Sequence, residues 1–116
     1  MKDDNVILIK SKAFALRIIK LYQFLVTEKK EYVLSKQLLR SGTSVGANVR
    51  EAVRGYSKDD FYYKLTISLK EAEESAYWLE LLFESGFLNE KEFKSIYNDC
   101  DDIIAILVAI RKTKGN

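Results

Sequence analysis

Four cations at helical spacing are the first chemistry the sequence offers. At about 100° per residue, Lys36, Arg40, Arg50 and Arg54 fall within about 80° of one another on a helix, and none of those positions is acidic. Such a stripe admits three readings. It is a solvated face, as any amphipathic helix shows opposite its core. It is a row of donors for the phosphates of RNA or DNA, with arginine favoured for its fork of N–H groups. Or it meets acidic helices of a neighbouring copy, a head-to-tail contact that closes into a ring when the rotation allows. A second stripe, Gln37, Ser41, Ser44, Asn48 and Glu51, lies between the cations and the apolar face, where a bundle would half bury it. Ser68, Lys70, Glu71 and Glu74 are the matching candidates on the third helix, and their spacing lets several of them face it together. The two sets predict an interhelix polar network that fixes register and pairing.

The chemistry that is missing narrows the classes further. Without a single histidine, the chain lacks the commonest general base and metal ligand and every Ser-His or Cys-His nucleophile pair. Cys100 is the lone cysteine; it can form no intrachain disulfide or usual zinc site and reads as a small core residue. Carboxylates for a Mg²⁺ ion exist at Asp99, Asp101 and Asp102, or at Glu71 and Glu74, yet acidic clusters on helices are ordinarily solvated or paired. The expectation is therefore no catalytic residue, no metal and no cofactor. Gly42 and Gly46 do not form a phosphate loop, because the GK[ST] ending is absent and the segment lies within a helical pattern. Each costs about 1 kcal/mol of helix propensity relative to alanine, a cost that a close approach of two helix backbones would offset.

The elements that must position these residues follow from punctuation. The 116 residues suit one domain. No proline and only five glycines leave few places to stop a helix. Apolar steps at Phe14, Ile18, Leu21 and Leu25 predict a first helix over Ile7 to Glu28. A second runs from about Tyr32 to Arg54, with Leu34, Leu38, Val45, Val49 and Ala52 on one face and Gly55 closing it in the left-handed conformation. Ser57 caps a third that ends at Gly86, with Asp59 and Asp60 in its positive first turn. Asn89 and Glu92 make a capping box for the fourth, whose apolar face is Phe93, Ile96, Cys100, Ile103, Leu107 and Ile110. Short connections between such segments favour an all-α, antiparallel up-down-up-down four-helix bundle spanning residues 1–116. The apolar run Val6 to Ile9 is too short for a signal peptide, and Ile103 to Ile110 is far short of a membrane span of about 20 residues, so a cytoplasmic protein with no membrane partner is expected. Charge is sorted along the chain: residues 1–55 sum to +6, residues 56–102 to −7 and the last 14 to +3. Tyr56, Tyr62 and Tyr63, near the turn into the third helix, either pack the bundle end or recruit another protein.

The stretch Leu34-Ser35-Lys36-Gln37-Leu38-Leu39-Arg40-Ser41-Gly42-Thr43-Ser44-Val45-Gly46-Ala47-Asn48, followed by Glu51-Ala52, closely resembles the bacterial four-helix-bundle proteins of the 23S rRNA intervening-sequence family. The resemblance continues through Ser57-Lys58-Asp59-Asp60-Phe61, Lys64-Leu65, Leu69-Lys70-Glu71-Ala72 and Tyr77-Trp78-Leu79-Glu80-Leu81-Leu82, and so covers nearly the whole chain. Ser75 stands where such proteins often have threonine, and Tyr63 where many have histidine. The resemblance implies an antiparallel bundle that assembles as a homo-oligomer, a pentameric ring. The family is also similar to the accessory variability determinant of diversity-generating retroelements, which works with a reverse transcriptase and binds nucleic acid. Nucleic-acid binding, a reverse-transcriptase partner and self-assembly are thus expectations that the resemblance brings.

Overall fold

Four helices occupy almost all of the chain: α1 (Lys2–Thr27), α2 (Leu34–Val53), α3 (Lys58–Glu84) and α4 (Glu90–Arg111). The computed structural model describes residues 2–115, with side chains over 6–115. Each helix packs on its neighbours in sequence and α4 returns to α1, while among the described residues the backbones of the diagonal pairs stay apart. This is the antiparallel up-down-up-down bundle, 46 Å long and about 20 Å across. Among the described residues no helix is long and apolar enough to cross a membrane.

The apolar faces read from the sequence line one core. Phe14, Ile18 and Leu25 of α1, Leu38, Val45 and Val49 of α2, Leu65, Leu79 and Leu82 of α3 and Cys100, Ile103 and Leu107 of α4 are all buried. Complete burial of a leucine- or phenylalanine-sized side chain stabilises by about 1.5–3 kcal/mol, so these positions hold the bundle together. At the α1–α2 seam the two helical glycines do what their spacing suggested. A Cβ on Gly42 would lie 2.8 Å from Ile18 Cγ1, and one on Gly46 would lie 3.2 Å from the Ser11 carbonyl oxygen. At Gly42 it is the Ile18 side chain that fills the space, and at Gly46 the α1 backbone itself comes close.

The helix ends divide into expected and unexpected. Ser57 accepts from Asp60 N at 3.1 Å, and the Asn89–Glu92 capping box is present in both directions. Gly86 closes α3 at φ +91, with Gly86 N bonded to Phe83 O and Phe87 N to Leu82 O, the paired bonds of a left-handed helix stop. Gly55 does not take that conformation, since Gly86 is the one glycine with positive φ among the described residues. Instead α2 winds out through Arg54 at φ −96, and a Cβ on Gly55 would run into the Asp60 carboxylate. The Asp60 carboxylate can swing aside, which leaves the Ala52 carbonyl, 3.2 Å from such a Cβ, as the tighter limit. The left-handed residue in the α1–α2 turn is Lys30, at φ 54.

The start of α2 carries a device that the sequence reading did not anticipate. Val33, in the N-cap position, offers no side-chain acceptor. Glu31 supplies it from two residues upstream: its carboxylate accepts from Val33 N at 3.2 Å, Leu34 N at 3.0 Å and Ser35 N at 2.7 Å, and Ser35 Oγ donates back to the Glu31 carbonyl at 2.8 Å. Burial of Glu31 works against its ionisation, but the amides of Leu34, Ser35 and Val33 outweigh it and hold the pKa below 4.5.

α1 departs from a simple amphipathic helix. It buries Ile7, Phe14 and Ile18, yet Ile9 is 69% exposed and Leu16 55% exposed, with Val6 and Ile19 also reaching solvent. Ile9 and Leu16 are seven residues apart and so share one outward face. The helix is apolar on two sides, and the bundle covers one.

Candidate nucleic-acid interface

Glu31 anchors the start of α2 and Gly42 and Gly46 seat it against α1, so the outward side chains of α2 leave from a well-held axis. The structure does not keep the four predicted cations together. Arg40 leans across to α3, where Nη1 lies 3.2 Å from Glu71 Oε2 and Nη2 pairs with Glu74. Trp78 Nε1 donates to the same Glu74 carboxylate at 3.0 Å. Arg40 therefore belongs to the α2–α3 polar network as much as to the basic stripe. Lys36, Arg50 and Arg54 are exposed and make no hydrogen bond or ion pair among the described residues. Lys36 is fourteen residues from Arg50, about 21 Å along the axis at 1.5 Å per residue, and stands apart at the other end of α2.

What Arg50 and Arg54 gain is a cation from a different helix. Lys12 of α1 and Arg50 line one surface groove of about 420 Å³ floored by Leu8, Ala15 and Gly46. Lys12, Arg50 and Arg54 line an adjoining one of about 250 Å³ with Leu8, Ile9 and Val53. The missing side chain of Gly46 deepens the first of these grooves. Glu51, the one acid on its rim, is already paired with Lys64 Nζ of α3 at 2.9 Å. Lys12 was not in the sequence-predicted set, because a stripe counted along one helix cannot include a residue from its neighbour.

The predicted polar network exists in part. Ser41 and Ser75 Oγ atoms meet at 2.8 Å in the core, either one able to donate to the other, with the Leu38 carbonyl 3.4 Å from Ser41 Oγ and the Glu71 carbonyl 2.8 Å from Ser75 Oγ as the remaining acceptors. Ser68 Oγ donates to the Val45 carbonyl at 2.8 Å. Glu51, Glu71 and Glu74 join through Lys64 and Arg40. The other members do not cross between helices. Ser44 Oγ donates to the Arg40 carbonyl and Asn48 Nδ2 to the Ser44 carbonyl, both within α2. Gln37 and Lys70 point to solvent without a partner. Ser75 lies four residues after Glu71 and seven after Ser68, and that spacing was the signal that could have added it. Among the described residues no buried side-chain nitrogen or oxygen lacks a hydrogen bond.

Of the groups weighed for chemistry, Glu71, Glu74 and Cys100 are engaged elsewhere, and Asp101 and Asp102 are exposed. Asp99 pairs with Arg17 of α1 at 2.7 Å. Among the described residues no group of three or more His, Cys, Asp or Glu side chains could hold a metal ion. Cys100 is buried with Sγ donating to the Ala72 carbonyl, and burial, with the Asp101 charge beside it, pushes its pKa up to about 12. No thiolate forms near neutral pH.

Comparison with known proteins agrees with this architecture. None of the curated proteins matches. Among solved structures, a crystal structure of a protein of unknown function from the S23 ribosomal protein family of Bacteroides thetaiotaomicron is 53% identical, covers 95% of this chain and 98% of its own, and superposes with a TM-score of 0.93. Residues 3–109 match the family described as 23S rRNA-intervening sequence protein. A match of that extent, with the bundle it predicts, places this chain in the 23S rRNA-intervening sequence protein family.

Proposed function

We propose that the protein is a non-enzymatic nucleic-acid-binding protein that holds phosphates in the α1–α2 groove between Lys12, Arg50 and Arg54. One observation carries this reading. Three cations from two helices converge on adjoining grooves with no carboxylate partner among the described residues, while Arg17, Arg40 and Lys64 each have one. Unpaired cations in a concave site are what a polyanion needs, because each neutralised phosphate releases condensed counterions. Lys36 adds a separate contact farther along α2. The test is fluorescence anisotropy of labelled single-stranded RNA and duplex DNA over a series of salt concentrations. Affinity should fall steeply with salt. Arg50→Glu with Arg54→Glu should weaken binding about ten-fold or more on unrelated sequences and lower the magnitude of the salt slope by about 2. An unchanged isotherm in that variant would remove the site.

A second reading, self-assembly, is favoured by the outward aliphatic face of α1. Ile9, Leu16 and Ile19, with Val53 of α2 beside the groove, form the kind of exposed apolar patch that marks an interaction surface. Several copies would also multiply the basic grooves and raise avidity without new contacts. Leu16→Lys should therefore lower the mass seen by sedimentation while leaving the helical spectrum unchanged. A variant that sediments as the parent does would exclude this face as the contact.

A further inference from the structure

We infer that the end of the bundle where α2 passes into α3 binds single-stranded nucleic acid, stacking bases on Tyr56 and Tyr63. The inference rests on the phosphate-binding reading and adds what the bases of the strand do. In an antiparallel bundle the C-terminus of α2, the N-terminus of α3 and the C-terminus of α4 share one end, and Arg54, which lines one of the two basic grooves, stands at the end of α2 there. Tyr56 follows Arg54 by two residues and is fully exposed, while Tyr63 is 62% exposed. Neither hydroxyl has a hydrogen-bond partner among the described residues. Their neighbour Tyr62 shows what packing the bundle end looks like, since it is buried with its hydroxyl bonded to Thr113. Tyr56 and Tyr63 do not pack that end.

Cations accompany the rings. Between α3 and α4, Tyr62, Tyr63, Thr66, Arg111 and Lys114 line a pocket of about 240 Å³. Lys114 Nζ lies 5.8 Å from the centre of the Tyr62 ring, and neither Lys114 nor Arg111 has a carboxylate partner among the described residues, whereas Lys64, 6.0 Å from the Tyr63 ring, is already paired with Glu51. Of the acids at this end among the described residues, Glu51 is paired with Lys64, and Asp59 and Asp60 occupy the first turn of α3, where the positive end of the helix offsets them. Exposed aromatic faces set among cations are the arrangement by which proteins hold single strands with little regard to sequence, the cations tracking phosphates and the rings receiving bases. A duplex keeps its bases stacked inside and offers these rings nothing, so the chemistry selects the unpaired strand.

The experiment compares four labelled oligonucleotides of equal length: a single-stranded RNA, a single-stranded DNA, a hairpin duplex, and an abasic strand that keeps the phosphates without the bases. The parent protein should bind the two single strands more tightly than the hairpin or the abasic strand. Tyr56→Ala with Tyr63→Ala should weaken single-strand binding about ten-fold or more, leave abasic binding unchanged, and be rescued by phenylalanine at both positions. Both side chains face solvent, so the variant should melt as the parent does. If the alanine variant binds the base-bearing strands as tightly as the parent, stacking is overturned while the phosphate reading stands. If that variant keeps its affinity but loses sedimenting mass, the rings serve a protein contact and the inference is likewise overturned. Failure of the parent to bind any of the four overturns both.

Discussion

Glu31→Ala is expected to cost about 2–3 kcal/mol of folding stability, more than an ordinary helix cap. Replacing a cap residue typically costs about 1 kcal/mol. Here one carboxylate serves three backbone amides, and Ser35 N is buried, so its loss strands a donor away from water. The effect has a pH signature whose sign follows from the depressed folded pKa. Above about 4.5 the carboxylate is ionised in both folded and unfolded chains, and its full contribution is present. As pH falls, the unfolded chain takes up the proton first, and the contribution drains away through the lower folded pKa. Glu31→Gln isolates the charge, because it keeps an acceptor oxygen but cannot ionise. Urea denaturation at a series of pH values should show the glutamate protein well above the glutamine variant near neutrality and the two converging well below 4.5. A gap that stays constant with pH would show that the carboxylate is not the cap.

Gly42→Val is expected to cost about 3 kcal/mol, at the upper end of ordinary overpacking. The Cβ alone would stand 2.8 and 2.9 Å from the two Cγ atoms of Ile18 and 3.2 Å from its Cβ. Ile18 is fully buried and β-branched, so it cannot swing aside. Relief must come from parting α1 and α2. Alanine meets the same contact but recovers about 1 kcal/mol of helix propensity, so Gly42→Ala should cost less. The mechanism is checked by a double-mutant cycle with Ile18→Ala, which removes both Cγ atoms. Ile18→Ala alone leaves a cavity worth about 2–5 kcal/mol. Valine at position 42 should then fill space instead of colliding, and the pair should be less damaging than the sum by about 1 kcal/mol or more. Additive losses would mean that the two side chains do not compete for the same volume.

Much of the fold was legible because its signals are local. Periodicity placed Leu38, Val45, Leu79 and Leu107 in the core, and short-range chemistry named Ser57, Gly86, Asn89 and Glu92 at the helix ends. Glu31 escaped because it caps from outside the usual N-cap position, and only the path of the α1–α2 turn brings its carboxylate to three amides. The candidate site was less legible, for a related reason. A helical wheel gives the direction in which Arg40 leaves its axis but not the reach of a long side chain, and Arg40 turns to Glu71 and Glu74. Ser44 and Asn48 are too short to cross and bond within α2 instead. Lys12 became visible only when two helices were set side by side.

The order in which the helices meet also bears on how the chain folds. Three of the four helix interfaces join neighbours in sequence, with α2–α3 the most extensive, and only the slender α1–α4 seam joins the two ends of the chain. Local pairings close short loops at little entropic cost, whereas the α1–α4 seam must close over most of the chain. The α2–α3 hairpin, built around Ser41, Ser75 and Ser68, is thus the natural nucleus. The α1–α4 seam, bridged at its surface by Arg17 and Asp99, is expected to form last and to open first, so amides along it should exchange hydrogen soonest among the helix interiors.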